Sequence, residues 1–245
     1  MIQTKSIRFL SDGNSLFGTL YAPTESTPLP GILFIHGAGQ ATSERYIPWQ
    51  HYLAEKGYSS FSFDVRGVGK SEGKFAEGSL DNRLQDARNA LKTFTATGVV
   101  DPLRLSVAGN SMGAHIVARL IEKEPHVKAI ILGCAAAYGT EAENKPLDET
   151  FTSVIRRAGS WKDSPVFPIL TAFPGKICVV YGDQEEVIPQ EVQERFIALA
   201  KAKGEVHLLK HIGHRLLQAE TDEQIKARQQ LFVLSAHFLQ EALHE

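Results

Sequence analysis

Gly109-Asn110-Ser111-Met112-Gly113 is the stretch with the clearest capacity for chemistry. The spacing G-x-S-x-G lies between a β-branched run ending at Ala108 and a stretch of helical period over 114–122, so a strand must turn at once into a helix. A turn that tight forces Ser111 into a strained backbone conformation. It needs glycine on both sides, where any side chain would strike the neighbouring strand or helix. The outcome is an exposed hydroxyl at a helix N-terminus, with the Met112 amide aimed at the same point. Such a hydroxyl is a poor nucleophile until a base removes its proton, so the chemistry also requires a histidine and a carboxylate to orient it. Of nine histidines, His214 is best placed, in His211-Ile212-Gly213-His214 after the last predicted strand; His211 is its competitor. His36, His115 and His126 read as structural. Tyr181 to Pro189 supplies three acids, Asp183, Glu185 and Glu186, at the carboxyl end of a predicted strand, the edge where α/β sheets place their sites. His36-Gly37-Ala38-Gly39 follows an earlier strand, and a glycine-rich loop there lets a backbone N–H approach a substrate oxygen closely. Ala38 and Met112 are the candidate donors of an oxyanion hole.

Other chemistries fit poorly. The pair His211 and His214 has no Cys, Asp or Glu at ligand spacing, so no metal is expected. Gly69-Lys70-Ser71 resembles the end of a phosphate-binding loop, but the glycine required five residues earlier is Asp64. Gly67-Val68-Gly69 begins a dinucleotide fingerprint whose third glycine would fall on Glu72. No cofactor is expected.

The elements that must position these residues are legible as eight runs rich in β-branched and aromatic residues, over 6–10, 16–21, 31–35, 59–63, 104–108, 127–133, 176–181 and 205–210. The first two are joined by Ser11-Asp12-Gly13-Asn14, a hairpin turn signal. From the third onward the runs are continuously apolar, as in parallel strands covered on both faces. Between them lie helical stripes such as Leu80, Leu84, Ala87, Leu91 and Phe94. The pattern predicts one α/β domain over 1–245, with a mostly parallel eight-stranded sheet, an N-terminal antiparallel hairpin and helices on both faces. The segment 138–174 exceeds a plain crossover and carries Phe151, Trp161 and Phe167, candidate walls of a substrate pocket. It could form a small cap over the strand ends, or an ordinary crossover helix with a loose loop.

In chain order the pieces run oxyanion loop, serine, acid, histidine, and here the chain resembles the α/β-hydrolase superfamily over almost its full length. It looks most like the compact esterase and serine-aminopeptidase-like branch. Asp64-Val65-Arg66-Gly67-Val68-Gly69-Lys70-Ser71 matches a D-x-R-G-x-G-x-S turn common in that branch, where it is mainly structural. The family's acid motif, G-x-x-D-x-x-V-P, falls on Gly182 through Pro189 and puts Glu185 at the acid position, ahead of Asp183 and then Glu186. Glutamate departs from the commoner aspartate, although its longer side chain still reaches an imidazole. The alternative acid position after the sixth strand holds Cys134-Ala135-Ala136-Ala137 and offers no carboxylate. The resemblance implies a serine hydrolase that cleaves a small to medium carboxylic ester through an acyl-enzyme on Ser111, with His214 as base. Thioesters, small peptides or amides lie within reach of the same machinery. A ligand-binding sensor of this fold with negligible turnover is the rival of a different class.

Composition bounds the partners. With 26 Lys+Arg against 28 Asp+Glu and a formal charge of −2, the totals give no support to a nucleic-acid or anionic-membrane partner. The expected partner is a small-molecule acyl substrate, and the chain is expected to be a monomer or a homodimer. The two cysteines, Cys134 and Cys178, lie in apolar runs that read as buried strands, which suits reduced thiols. The opening residues have no apolar stretch long enough for a signal peptide, and the expected location is cytoplasmic.

Overall fold

A computed structural model describes residues 1–24, 28–39 and 41–244. Strands β1 (Ile2–Ser11) and β2 (Asn14–Pro23) form the predicted antiparallel hairpin. Asp12 and Gly13 connect them, both at positive φ (47° and 80°), which is the requirement of a two-residue turn that follows the twist of its strands. The remaining strands are β3 (Leu29–Ile35), β4 (Ser59–Phe63), β5 (Val100–Asn110), β6 (Val127–Gly133), β7 (Lys176–Gln184) and β8 (Gly204–Gly213). Among the described residues they make one eight-stranded sheet in the order β1-β2-β4-β3-β5-β6-β7-β8. Only the pairings β1–β2 and β2–β4 are antiparallel. Every residue of β3 and β4 is buried, so the continuous apolar runs of the sequence are strands covered on both faces.

The winding direction reverses at β3, whose neighbours are β4 on one side and β5 on the other. Crossovers between parallel strands are right-handed, so stepping one way places α1 (Ile47–Glu55) on one face, and stepping the other way places α3 (Met112–Ile121) on the opposite face. Beside α1 packs α7 (Asp222–Leu243), with Trp49 stacked on Phe232 at 5.7 Å. With α3 pack α2 (Leu80–Ala96) and α5 (Val166–Ala172), and α5 leads on to α6 (Gln190–Lys203). The stripe Leu80, Leu84, Ala87, Leu91 and Phe94 is buried along α2, whose first turn is closed by a capping box between Ser79 and Asn82. One short helix, α4 (Glu149–Ile155), lies with α5 in the segment 138–174. No described helix is long and apolar enough to cross a membrane. Both thiols are free and buried. Cys178 lies within β7, whereas Cys134 sits one residue past the end of β6 with φ 42°, outside the strand that its apolar surroundings suggested.

Reversal at β3 opens a crevice beyond the carboxyl ends of β3 and β5, the place where open α/β sheets bind ligands. The turn 64–71 braces that rim. Asp64 accepts from the Ser43 amide (2.8 Å) and the Lys70 amide (2.9 Å), while the Ser71 hydroxyl donates to the Asp64 carbonyl (2.6 Å). Arg66 reaches from the same turn to Asp86 on α2, donating to both carboxylate oxygens, with the shortest contact 2.6 Å. The Asp86 side chain is fully buried and also takes the Ser11 hydroxyl at 2.6 Å. Removing one partner of such a pair strands the other charge away from water. Arg66→Ala, which leaves the buried Asp86 carboxylate without its cation, is expected to lower unfolding free energy by about 3–5 kcal/mol, read as a drop in the urea midpoint at unchanged slope; a loss below about 1 kcal/mol would mean that the pair acts like an exposed one.

Candidate active site

Ser111 stands between β5 and α3 with φ 56° and ψ −120°. A non-glycine residue held there costs about 1–3 kcal/mol, which the surroundings must offset. Its N–H donates to the Gly133 carbonyl of β6 (2.9 Å), and its carbonyl accepts from the amides of Ala114 (3.0 Å) and Ala136 (3.3 Å). The flanking glycines are sterically required: a Cβ on Gly109 would run into the backbone of Gly113, and one on Gly113 into the carbonyls of Ile35 and His36 at the end of β3.

The Ser111 hydroxyl lies 3.0 Å from His214 Nε2, and His214 Nδ1 lies 2.8 Å from Glu185 Oε2. The three residues come from the ends of β5, β7 and β8, so the parallel sheet itself converges them on one rim. Glu185 also turns back on its own loop, where Oε1 accepts from the amides of Val187 (2.7 Å) and Ile188 (3.1 Å). The extra methylene of glutamate is thus taken up by this self-closed turn, and the side chain is 1% exposed. Burial pushes the Glu185 carboxyl up, but hydrogen bonds with His214 and Cys134, the charge of His214 and the Val187 amide outweigh it and hold the group below its ordinary value. Asp183 instead faces Lys210 at 3.6 Å, and Glu186 is exposed. His211 is exposed within β8, three residues before His214.

Beneath the loop 36–39, His36 is buried and joins two strand ends. Its Nδ1–H donates to the Gly37 carbonyl (2.8 Å) and its Nε2 accepts from the Val65 amide (3.1 Å), which fixes one neutral tautomer. Burial, with the nearby Arg83 charge, lowers its pKa to about 3, so the ring stays uncharged. Arg83, on α2 and 1% exposed, donates to the same Gly37 carbonyl from Nη2 (2.9 Å) and Nη1 (3.3 Å) and touches the Met112 sulfur at 3.2 Å. Burial brings its pKa down to about 10, which leaves it a cation at neutral pH. Across a trans peptide the C=O and N–H point in opposite directions. Pinning the Gly37 carbonyl inward therefore turns the Ala38 N–H outward, toward the cavity that both residues line. The Met112 amide, at the first position of α3, belongs to the helix turn that has no intrahelical acceptor.

A cavity of about 1230 Å³ lies over Ser111 and His214 and is walled by both Ala38 and Met112. Much of the opposite wall comes from 138–174, including Tyr138, Phe151 and Trp161. Phe167 does not line the cavity and is corrected here: it sits behind Trp161 (6.2 Å, edge-on), where its ring packs against Phe196 (5.3 Å) under the Arg195 guanidinium (3.9 Å). For a metal, Cys134, Glu185 and His214 offer ligand atoms within 4.8 Å of one another. That set is already engaged, since the imidazole and carboxylate bond each other and burial pushes the Cys134 thiol well up, keeping it protonated. Arg83 escaped the sequence reading, although a signal existed: position 83 falls on the same buried stripe as Leu80 and Ala87, and a charge on an apolar stripe demands a partner.

Residues 27–168 match the family described as serine aminopeptidase, S33. YfhR, an uncharacterized protein of Escherichia coli O157:H7, is 29% identical over 210 residues, which span 80% of this chain and 68% of that protein. The esterase FrsA of Yersinia enterocolitica is 32% identical over 127 residues, 49% of this chain and 29% of FrsA. Among solved structures, Est1E from Butyrivibrio proteoclasticus, with ferulic acid bound, superposes with a TM-score of 0.78 at 19% identity, covering 98% of this chain and 100% of Est1E. At that identity the likeness speaks for the fold. The family match takes in more than half of the chain, and together with the sheet order it makes this protein an α/β hydrolase, a member of the serine aminopeptidase, S33 family.

Proposed function

We propose that the protein is a serine hydrolase that cleaves small to medium carboxylic esters through an acyl-enzyme on Ser111. The observation that carries this reading is the unbroken relay from Ser111 Oγ through the His214 ring to Glu185, at 3.0 and 2.8 Å. Ser111 Oγ attacks the ester carbonyl as His214 Nε2 takes its proton, and the charge that develops on the carbonyl oxygen is met by the Ala38 and Met112 amides. Arg83 acts one step behind, holding the peptide that carries the first of these donors. Collapse of the tetrahedral species expels the alcohol, which receives the proton from His214. Water then attacks the acyl-enzyme with His214 again as base, releasing the acid and restoring the hydroxyl. Glu185 accepts from Nδ1–H throughout, keeping the lone pair of Nε2 toward Ser111. The esterase name of FrsA supports an ester over an amide.

Labelling with a fluorophosphonate probe tests the nucleophile. Wild type is expected to label and Ser111→Ala to lose the label, whereas an unlabelled wild type, or equal labelling of both, means that Ser111 forms no covalent intermediate. The acid is tested by hydrolysis of short-chain aryl esters. Glu185→Gln places an amide N–H against Nδ1–H and drives the ring to the wrong tautomer, so kcat is expected to fall about 10³- to 10⁴-fold. Asp183→Asn, which removes only the contact with Lys210, is expected to change it less than about threefold. A larger loss from Asp183→Asn would reverse the assignment. Because the Glu185 carboxyl is held below its ordinary range, it stays ionised as pH falls from about 8 to about 5, so a loss of kcat/KM across that window is not expected to come from protonation of the acid.

A further inference from the structure

The charged residues lining the catalytic cavity are unbalanced in a chain whose totals are two charges negative: Arg45, Arg156, Arg157, Lys162 and Arg215 line it, against Glu191 alone. Arg157 is engaged by Glu141 (2.8 Å), but no described acid lies in ion-pair contact with the other four cations. They arrive from three separate parts of the chain, the segment after the oxyanion loop, the segment 138–174 and the position next to His214. No single helix face or basic run brings them together. Several unneutralised cations around one concave site repel each other and focus a positive potential into it. We infer that the site selects esters that carry an anionic group, a carboxylate or a phosphate, remote from the scissile carbonyl, and this rests on the esterase reading above. Guanidinium groups pair with either oxyanion through parallel N–H···O bonds. The aromatic wall of Tyr138, Phe151 and Trp161 takes the apolar body between the anion and the reacting carbonyl. The same potential opposes a free cationic amino terminus, so an aminopeptidase substrate suits this cavity badly despite the name of the family.

Acetate esters of 4-hydroxybenzoate, 4-hydroxyphenyl phosphate and 4-hydroxybenzamide test the inference, with kcat/KM of each corrected for its rate of alkaline hydrolysis. At least one anionic ester is expected to exceed the neutral amide by about tenfold, and the larger of the two ratios tells carboxylate from phosphate. That preference is expected to fall about two- to fivefold in Arg156→Gln or Arg215→Gln, to shrink in about 0.5 M salt, and to be unchanged in Lys5→Gln on the distant hairpin. Parity among the three esters, preference for the amide, or a salt-independent ratio overturns it. Binding is measured separately in Ser111→Ala, by quenching of Trp161 fluorescence with 4-hydroxybenzoate, 4-hydroxyphenyl phosphate and 4-hydroxybenzamide. Tighter binding of the anions without turnover by wild type would sink the esterase reading alone. Turnover without discrimination would sink the charge selection alone.

Discussion

The close approach of the elbow to the end of β3 is the constraint on which the rest of the site depends. Where Gly113 meets the Ile35 and His36 carbonyls there is no room for a single carbon atom, and the same holds where Gly109 meets Gly113. That proximity sets the hydroxyl of Ser111 beside the loop that follows β3. The unfavourable backbone angle is sustained because three hydrogen bonds to neighbouring segments over-determine it. Backbone contacts of this kind have no slack, so the nucleophile is placed by the sheet and not by its own side-chain rotamer.

Around the elbow runs a buried polar framework that couples the β-sheet to the loop above it. Asp86 gathers Arg66 and Ser11 at one end of the first turns of α2, and Arg83, three residues earlier on the same helix, grips the Gly37 carbonyl. The D-x-R-G-x-G-x-S turn, far from the reacting atoms, thus bears on the oxyanion loop through one rigid helix. His36 completes the frame as a neutral ring with one nitrogen on each strand end. A buried arginine whose direct partners are a carbonyl and a thioether is costly. Its place beneath the loop gives that cost a physical role.

Much of this is legible in the amino-acid order because it is local. Continuous apolar runs mark the strands, the Asp12-Gly13 turn marks the hairpin, and G-x-S-x-G marks a sharp turn from strand to helix. The place of Glu185 in a motif points to it as the acid, and its contact with two amides of its own loop lies only two and three residues away. What escaped is what depends on distant packing. Phe167 and Trp161 look alike in sequence, yet the orientation of α5 sends the first toward Phe196 and leaves the second on the cavity wall. Cys134 reads as one more strand residue, and its nearness to Glu185 comes from the pairing of β6 with β7. The charge imbalance of the cavity is invisible in totals near neutrality, since it arises from segments far apart in the chain.

The self-closed turn at Glu185 has a consequence for how this loop can change. An acid that simply hung from a strand end could exchange with its shorter homologue at little penalty. Here the side chain spans between two amides behind it and a ring in front, so its length and the path of residues 185–188 form a single variable. Shortening the acid alone would force it to choose between the loop and the imidazole. Drift at this position is therefore open only to coordinated changes, in which the backbone moves forward by the methylene that the side chain gives up.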